Sequence, residues 1–366
     1  MEVFVLKTMR YFRYLLLPFS WIYGLVVFTR NYFYDTGIFK STKFDLPVIV
    51  IGNLEVGGAG KSPMTEYLIQ LLKPNYKLAT LSRGYGRKTK GFFYADKNST
   101  AKTVGDEPAQ FKQKFPDITV AVCESRVTGI EKLQQEHDLI LLDDAYQHRA
   151  LQPGFSILLF DYGKLDQNHL LLPAGNFREP FSFKKRADVI VISKCPSGLS
   201  GKEQQVISKK IDLLPHQTLF FTTIVYHRFQ PLTLSANASF IGQKTVVFLL
   251  TGIANPKPLL QHLCKQSEVV VQHKYPDHHQ FSIKNISKLA EDFKAYASDK
   301  KLVITTEKDA QRLQEPALQK LLAGLPVSVA PIGIAFLNDA APLFGRLIKN
   351  YVRKYQKDNR LYPKPD

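Results

Sequence analysis

The stretch Leu46-Pro47-Val48-Ile49-Val50-Ile51-Gly52-Asn53-Leu54-Glu55-Val56-Gly57-Gly58-Ala59-Gly60-Lys61-Ser62-Pro63 reads as a buried strand, a glycine-rich loop and the first turn of a helix. Such a loop lets the backbone approach a polyphosphate and turn its N–H groups toward it. Lys61 has the reach for the β and γ phosphates, and the Ser62 hydroxyl suits Mg²⁺. Residues Glu55, Val56, Gly57, Gly58, Ala59, Gly60, Lys61 and Ser62 are therefore the expected nucleotide-binding segment. One position departs from the spacing G-x-x-x-x-G-K-[ST]: Glu55 stands where glycine is usual, and the Gly57-Gly58 pair offers the same freedom two residues later.

Working outward, short apolar runs alternate with helical spacing: Leu78 to Leu81, Thr119 to Val122, Leu139 to Leu142, Ser156 to Phe160 and Val189 to Ile192. That alternation predicts an α/β protein of the P-loop type, a parallel sheet with helices on both faces. Ligands of such sheets bind beyond the carboxyl ends of the strands. The pattern divides the chain into an N-terminal segment 1–34, a core unit 35–215, an extended aromatic connector 216–235 and a smaller α/β unit 236–366 with a basic tail. In the last of these, Val246 to Leu250, Val269 to Val271, Leu302 to Thr305 and Val327 to Ile332 are the apolar runs.

The chain has 366 residues, 45% hydrophobic, enough to bury a substantial core. Its formal charge of +17 and pI near 9.5 favour anionic partners. Three cysteines, far apart and odd in number, suggest neither a disulfide framework nor a zinc site and fit a reducing compartment. Between Arg13 and Arg30 lies the charge-free run Tyr14 to Thr29, too short for the roughly 20 residues a spanning helix needs and interrupted by Pro18 and Gly24. No small-residue cleavage site follows it, so a secretory signal is not expected. Tyr11, Phe12, Trp21, Tyr23, Phe28, Tyr32, Phe33 and Tyr34, mixed with Lys7, Arg10, Arg13 and Arg30, suit attachment to a membrane surface. The competing expectation is an apolar helix docked on the protein's own core.

Leu139-Ile140-Leu141-Leu142-Asp143-Asp144 is a buried strand ending in two carboxylates, which paired with Ser62 suits a metal–nucleotide site. Val104-Gly105-Asp106-Glu107-Pro108 places two more carboxylates ahead of a helix, readable as a helix cap or as a base for a hydroxyl. Tyr275-Pro276-Asp277-His278-His279 offers an orienting neighbour, while Ser82-Arg83-Gly84-Tyr85-Gly86 and Arg178-Glu179-Pro180 add cations after strand-like runs.

These motifs in this order resemble the tetraacyldisaccharide 4'-kinase family, the lipid A 4'-kinases. The resemblance rests on Gly52 to Leu54 with Val56 to Pro63, Leu81 to Gly86, Val104 to Pro108, Asp143 to Arg149, Pro173 to Gly175 with Arg178 to Pro180, Arg186 to Asp188, Gly252 to Pro256, Pro276 to His279 and Thr306 to Ala310. It implies ATP- and Mg²⁺-dependent transfer to the 4'-hydroxyl of a lipid A disaccharide 1-phosphate precursor. It also implies a cleft between two domains and a peripheral place on the cytoplasmic face of the inner membrane. Carried over by position, Asp106 resembles the catalytic base and His278 its partner, with Lys61 on the phosphates. Glu107, Asp143 and Asp144 resemble the residues around the metal, beside Ser62 of the loop; Arg83, Gln147, His148, Arg178 and Glu179 are the residues expected to face substrate, although the Arg83 and Arg178 segments equally fit solvated loops. Ala145-Tyr146 departs from the family's usual Gly-Phe.

Two rival functions are weaker. A nucleotide switch needs a guanine reader, and Ser193-Lys194-Cys195-Pro196 lacks both its Asn and its Asp. A nucleic-acid-dependent ATPase is suggested by charge alone, without a recognisable module, so no nucleic acid is expected as partner. No stable protein partner is implied either.

Overall fold

Residues Val48 to Ile51 are buried, and they point alternately to the two faces of a sheet. Val48 and Val50 pack with Leu54, Leu142 and Ile190, whereas Ile49 and Ile51 meet Leu68, Leu141 and Phe344. A strand apolar on both faces needs cover on each. The computed structural model describes residues 13–236 and 241–361, with side chains to 355, and so leaves Lys7, Arg10, Tyr11 and Phe12 outside the described residues.

The chain forms β1 (Val48–Gly52), β2 (Leu78–Ser82), β3 (Phe93–Tyr94), β4 (Thr119–Val122), β5 (Leu139–Asp143), β6 (Phe155–Asp161), β7 (Val189–Ser193) and β8 (Thr218–Tyr226). Then come β9 (Gln230–Pro231), β10 (Val246–Thr251), β11 (Val269–Lys274), β12 (Lys301–Thr306), β13 (Val327–Ala330) and β14 (Ile332–Phe336). The larger sheet runs β14-β8-β7-β6-β1-β5-β2-β4-β3, with β1 at its centre. Its strands β4, β2, β5, β1, β6, β7 and β8 are parallel to their neighbours, and β3 and β14 close the edges antiparallel. The smaller sheet runs β11-β10-β12-β13-β9. Its core sets Val246, Phe248 and Leu250 against Ile286, Leu289 and Phe293 of the helix Ile283–Ala295.

Two sequence boundaries change. The expected connector 216–235 contains β8, which pairs in parallel with β7 as a member of the larger sheet. Its alternating pattern is that of a strand near a sheet edge, only half covered. The apolar run Val327 to Ile332 is two strands in two sheets, because buried Pro331 interrupts it and the chain crosses over there. Consequently the end of the chain is not all part of the smaller unit. β14 pairs with β8, and Phe344, Ile348 and Val352 of the helix Ala341–Leu361 pack under β1 with Ile49 and Ile51.

Gly52 ends β1 where Tyr146 crosses it. A Cβ there would lie 2.5 Å from the Tyr146 Cβ and 3.1 Å from its backbone nitrogen. Gly52→Ala should therefore destabilise the protein by about 1–3 kcal/mol. The change would be read as a lower urea midpoint at unchanged m-value, and an unaltered midpoint would contradict this packing.

Candidate active site

The glycine loop after β1 and the carboxylates Asp143 and Asp144 at the end of β5 lie at the carboxyl edge of the larger sheet. β1 leads into the glycine loop, where Gly57 (φ 99°) and Gly60 (φ 84°) occupy the left-handed region. Glu55 needs no such freedom, because its backbone bridges Phe177 in an extended conformation and Val56 N donates to Asn176 O at 2.8 Å. The positive-φ turn comes two residues later, which accounts for the departure at Glu55. Its side chain is buried against Lys164 (3.3 Å), and burial raises its carboxyl above the usual range despite that lysine.

Lys61 Nζ lies 3.1 Å from Asn53 Oδ1 and 3.6 Å from Asp144 Oδ1. Asn53 is a hub: its amide donates to Glu55 O at 2.7 Å, and Gln147 and Arg178 donate to its oxygens. Arg178 also pairs with Asp144 at 3.0 Å. No helix follows Asp144, so its side chain caps none.

Asp143 ends β5, is buried, and accepts from Thr65 Oγ1 at 3.0 Å. Burial, then the nearby Glu107 and Asp144, push its carboxyl up to about 7. Burial would raise Asp144 too, but Lys61 and Arg178 outweigh it and hold that carboxyl low. Among the described residues no three His, Cys, Asp or Glu side chains form a metal cage by themselves. Mg²⁺ commonly takes one or two carboxylates together with phosphate oxygens. The hard oxygen donors Ser62, Asp143 and Asp144 fit that arrangement, and a cation would relieve the crowding at Asp143. Glu107 is otherwise engaged, with Lys308 at 2.6 Å.

Asp106 opens the helix Asp106–Lys114, where Gly105 (φ 97°) is the cap residue and no side chain caps. A Cβ on Gly84 would lie 2.6 Å from Val104 O, so the Gly84 loop after β2 seats this turn closely. The buried carboxylate meets the smaller unit: His278 Nδ1 hydrogen-bonds with Asp106 Oδ2 at 3.1 Å, and Arg312 donates to the same oxygen through Nε (2.9 Å) and Nη2, with Nη2 also 3.2 Å from His278 Nδ1. Burial alone would raise the Asp106 carboxyl; hydrogen bonds from His278 and Arg312, with their charge, hold it below the usual range. The hydrogen bond to Asp106 raises His278 in turn, against burial. His279 turns away, stacked on Tyr275 (4.6 Å) and bonded to Asn285.

Sequence reasoning missed Arg312 and gave Lys308 no role. Their spacing was a usable signal: four residues apart on one helix face, they meet Asp106 and Glu107, which are adjacent.

Of the residues expected to face substrate, Gln147 and Arg178 hold Asn53, and Arg83 is exposed. Burial, with Arg126 and Arg83, pushes His148 down to about 4, so it is neutral at pH 7. Glu179 is fully buried and anchors the first described helix, Leu17–Asp35, instead of lining the cleft. Its oxygens accept from Arg30 (2.8 Å), Asn31 (3.1 Å) and Arg186. Ser20 and Tyr23 add bonds to Leu171 O and Arg178 O. That helix thus docks by its polar side, and Phe19, Trp21, Ile22, Leu25, Val26 and Phe28 face outward, 59% to 73% exposed. Among the described residues no helix is long and apolar enough to cross a membrane. Tyr146, at the departure from Gly-Phe, donates to Phe183 O at 2.8 Å, and Arg186 stacks over its ring.

Sheet, glycine loop and paired carboxylates define a P-loop protein of the kinase type. The family model described as LpxK, Tetraacyldisaccharide-1-P 4'-kinase, matches residues 12–351. The tetraacyldisaccharide 4'-kinase of Phocaeicola vulgatus is 44% identical over 94% of this chain and 96% of its own length. That of Flavobacterium johnsoniae is 45% identical over 87% and 93%. A crystal structure of LpxK from Aquifex aeolicus in complex with ATP superposes with a TM-score of 0.70 at 25% identity, covering 93% of this chain and 99% of that one. The chain belongs to the tetraacyldisaccharide 4'-kinase family and is a kinase.

A second ionic contact joins the two sheets behind Asp106. Lys114 bridges Glu66 (2.6 Å), on the helix after the glycine loop, and Glu307 (2.8 Å), from the smaller unit. Burial and then the charge of Glu307 push Glu66 up to about 7, more than Lys114 can offset. The folded protein thus keeps a proton that the unfolded chain loses near pH 4.5. This contribution to stability is complete below that pH and is lost as pH rises through about 7. Glu66→Gln should flatten the stability profile between pH 4.5 and 7, by on the order of 2 kcal/mol. Urea midpoints across that range measure it, and an equally steep profile in the variant would contradict the assignment.

Proposed function

We propose that this kinase transfers the γ-phosphoryl group of ATP to the 4'-hydroxyl of a tetraacyl disaccharide 1-phosphate, with Mg²⁺, at a membrane surface. The observation that carries the reading is Asp106. It is a buried carboxylate kept ionised by His278 and Arg312 of the smaller unit, at the strand edge that also bears the glycine loop. A hydroxyl attacking phosphorus must shed its proton, and an oriented carboxylate accepts it. The other contributions are position and charge. The loop and Lys61 hold the phosphates, with Lys61 leaving Asp144 to do so. Ser62, Asp143 and Asp144 would hold the Mg²⁺, which would neutralise charge on the phosphates. Arg83, Gln147, His148 and Arg178 border the acceptor side. Contacts from both sheets require the units to be docked, which also limits water at the site.

The outward apolar face of Leu17–Asp35 favours lipid over docking on the protein's own core. The acceptor carries acyl chains, so a kinase working on it gains by resting at the same interface. A nucleotide switch fits less well, since the residues after β7 lack a guanine-reading acid.

Asp106→Ala should lower kcat for lipid phosphorylation by roughly 10²- to 10⁴-fold while ATP affinity holds. Wild-type kcat in the variant would remove Asp106 from the reaction. Trp21→Glu with Leu25→Glu should weaken binding to anionic liposomes in a flotation assay. Unchanged flotation would contradict the membrane assignment of this helix.

A further inference from the structure

The Arg312 side chain is fully enclosed, at 0% exposure, although its charge is permanent. Burying such a charge is costly unless it is paired on every side. Nη1 donates to Gly252 O (2.8 Å) and Asp309 Oδ1 (2.9 Å), while Nε and Nη2 reach Asp106 Oδ2. Asp309 is itself enclosed and accepts from Gly252 N (3.0 Å) and Thr306 Oγ1 (2.8 Å). The smaller unit therefore fixes the guanidinium through Gly252 and Asp309, independently of Asp106.

The loading of the Asp106 carboxylate is unequal. Three nitrogens, Arg312 Nε, Arg312 Nη2 and His278 Nδ1, converge on Oδ2. Oδ1 accepts a hydrogen bond from none of the described residues. A single histidine contact would leave the carboxylate free to rotate about its C–C bond, whereas two nitrogens of one rigid, planar guanidinium resist that rotation.

We infer that Arg312 is a positioning residue for phosphoryl transfer, whose enclosed guanidinium fixes the rotation of Asp106 so that Oδ1 meets the acceptor hydroxyl. The inference rests on the reading of Asp106 as the base. In the step, the hydroxyl oxygen bonds to the γ-phosphorus and its O–H bond breaks, the proton passing to Oδ1. The bond from phosphorus to the bridging oxygen breaks with its electron pair going to ADP.

The test is a double-mutant cycle on kcat for lipid phosphorylation with Asp106→Asn, Arg312→Met and the double variant, beside Arg312→Lys. ATP binding is measured in each as a check on folding. Arg312→Met should lose roughly 10²-fold in kcat, the order expected for misplacing a reacting group, with KM for ATP unchanged. Arg312→Lys should recover part of that loss, having the charge without the planar fork. The double variant should be no slower than Asp106→Asn alone, because Arg312 acts through the Asp106 carboxylate, its other catalytic-side contact being His278 Nδ1 (3.2 Å), which serves the same carboxylate. Wild-type kcat in Arg312→Met, or losses that multiply in the double variant, would overturn the inference. Should Arg312→Met fail to bind ATP, Arg312→Lys supplies the same cycle. Wild-type kcat in Asp106→Asn would instead overturn the base reading itself, and a cycle that fails while Asp106→Asn is slow would strike Arg312 alone.

Discussion

One carboxylate at the end of one sheet, held by an arginine and a histidine from the unit built on the other, organises this molecule. Asp106 is buried, and an unpaired charge there would be expensive. Its partners Arg312 and His278 lie 206 and 172 residues further along the chain, in the smaller unit. Around that contact stand Glu107 with Lys308, Lys114 with Glu66 and Glu307, Lys102 with Glu315 and Gln113 with Gln311. The interface between the helices Asp106–Lys114 and Glu307–Arg312 is therefore largely polar and ionic. Such interfaces are compatible with opening and closing, whereas an apolar one of the same extent would fuse the units.

The same logic, inverted, shapes the N-terminal helix. A helix docked on a globular protein ordinarily buries its apolar side. Here Ser20, Tyr23, Arg30 and Asn31 make the polar inward contacts, with Glu179 as the buried anchor and Val27 as the buried apolar residue beside them, while Phe19, Trp21, Ile22, Leu25, Val26 and Phe28 are left outside. Polar docking fixes the helix to the loops around Leu171 and Arg178, and Arg178 belongs to the Asn53 and Asp144 cluster. The outward apolar face is thus tied within a few bonds to the cluster beside the glycine loop.

Much of this was legible in the sequence where the physics is local. Val48 to Ile51 and the other apolar runs announce strands covered on both faces, and Gly57 to Ser62 announce the loop. Where partners are distant, periodicity is silent. The alternation of Thr218 to Tyr226 is equally a connector or a strand until β7 and β14 are seen beside it. Pro331 divides an apolar run between two sheets, and no propensity says which sheet takes which half. Glu179 reads as a cleft residue beside Arg178, yet its burial depends on Arg30 and Asn31, nearly 150 positions earlier. The pairing of Asp106 with His278 came from family resemblance, and Arg312 fell just beyond another resembling segment, Thr306 to Ala310.

On the proposed function the smaller unit completes the acceptor side of the site and leaves the nucleotide side intact. Transfer of labelled γ-phosphate from ATP to a tetraacyl disaccharide 1-phosphate in detergent micelles, with His278→Ala beside wild type, tests it most directly. ATP affinity should be unchanged and most of the labelled lipid lost in the variant. Undiminished lipid labelling in His278→Ala, or ATP hydrolysis without any lipid product in wild type, would contradict it.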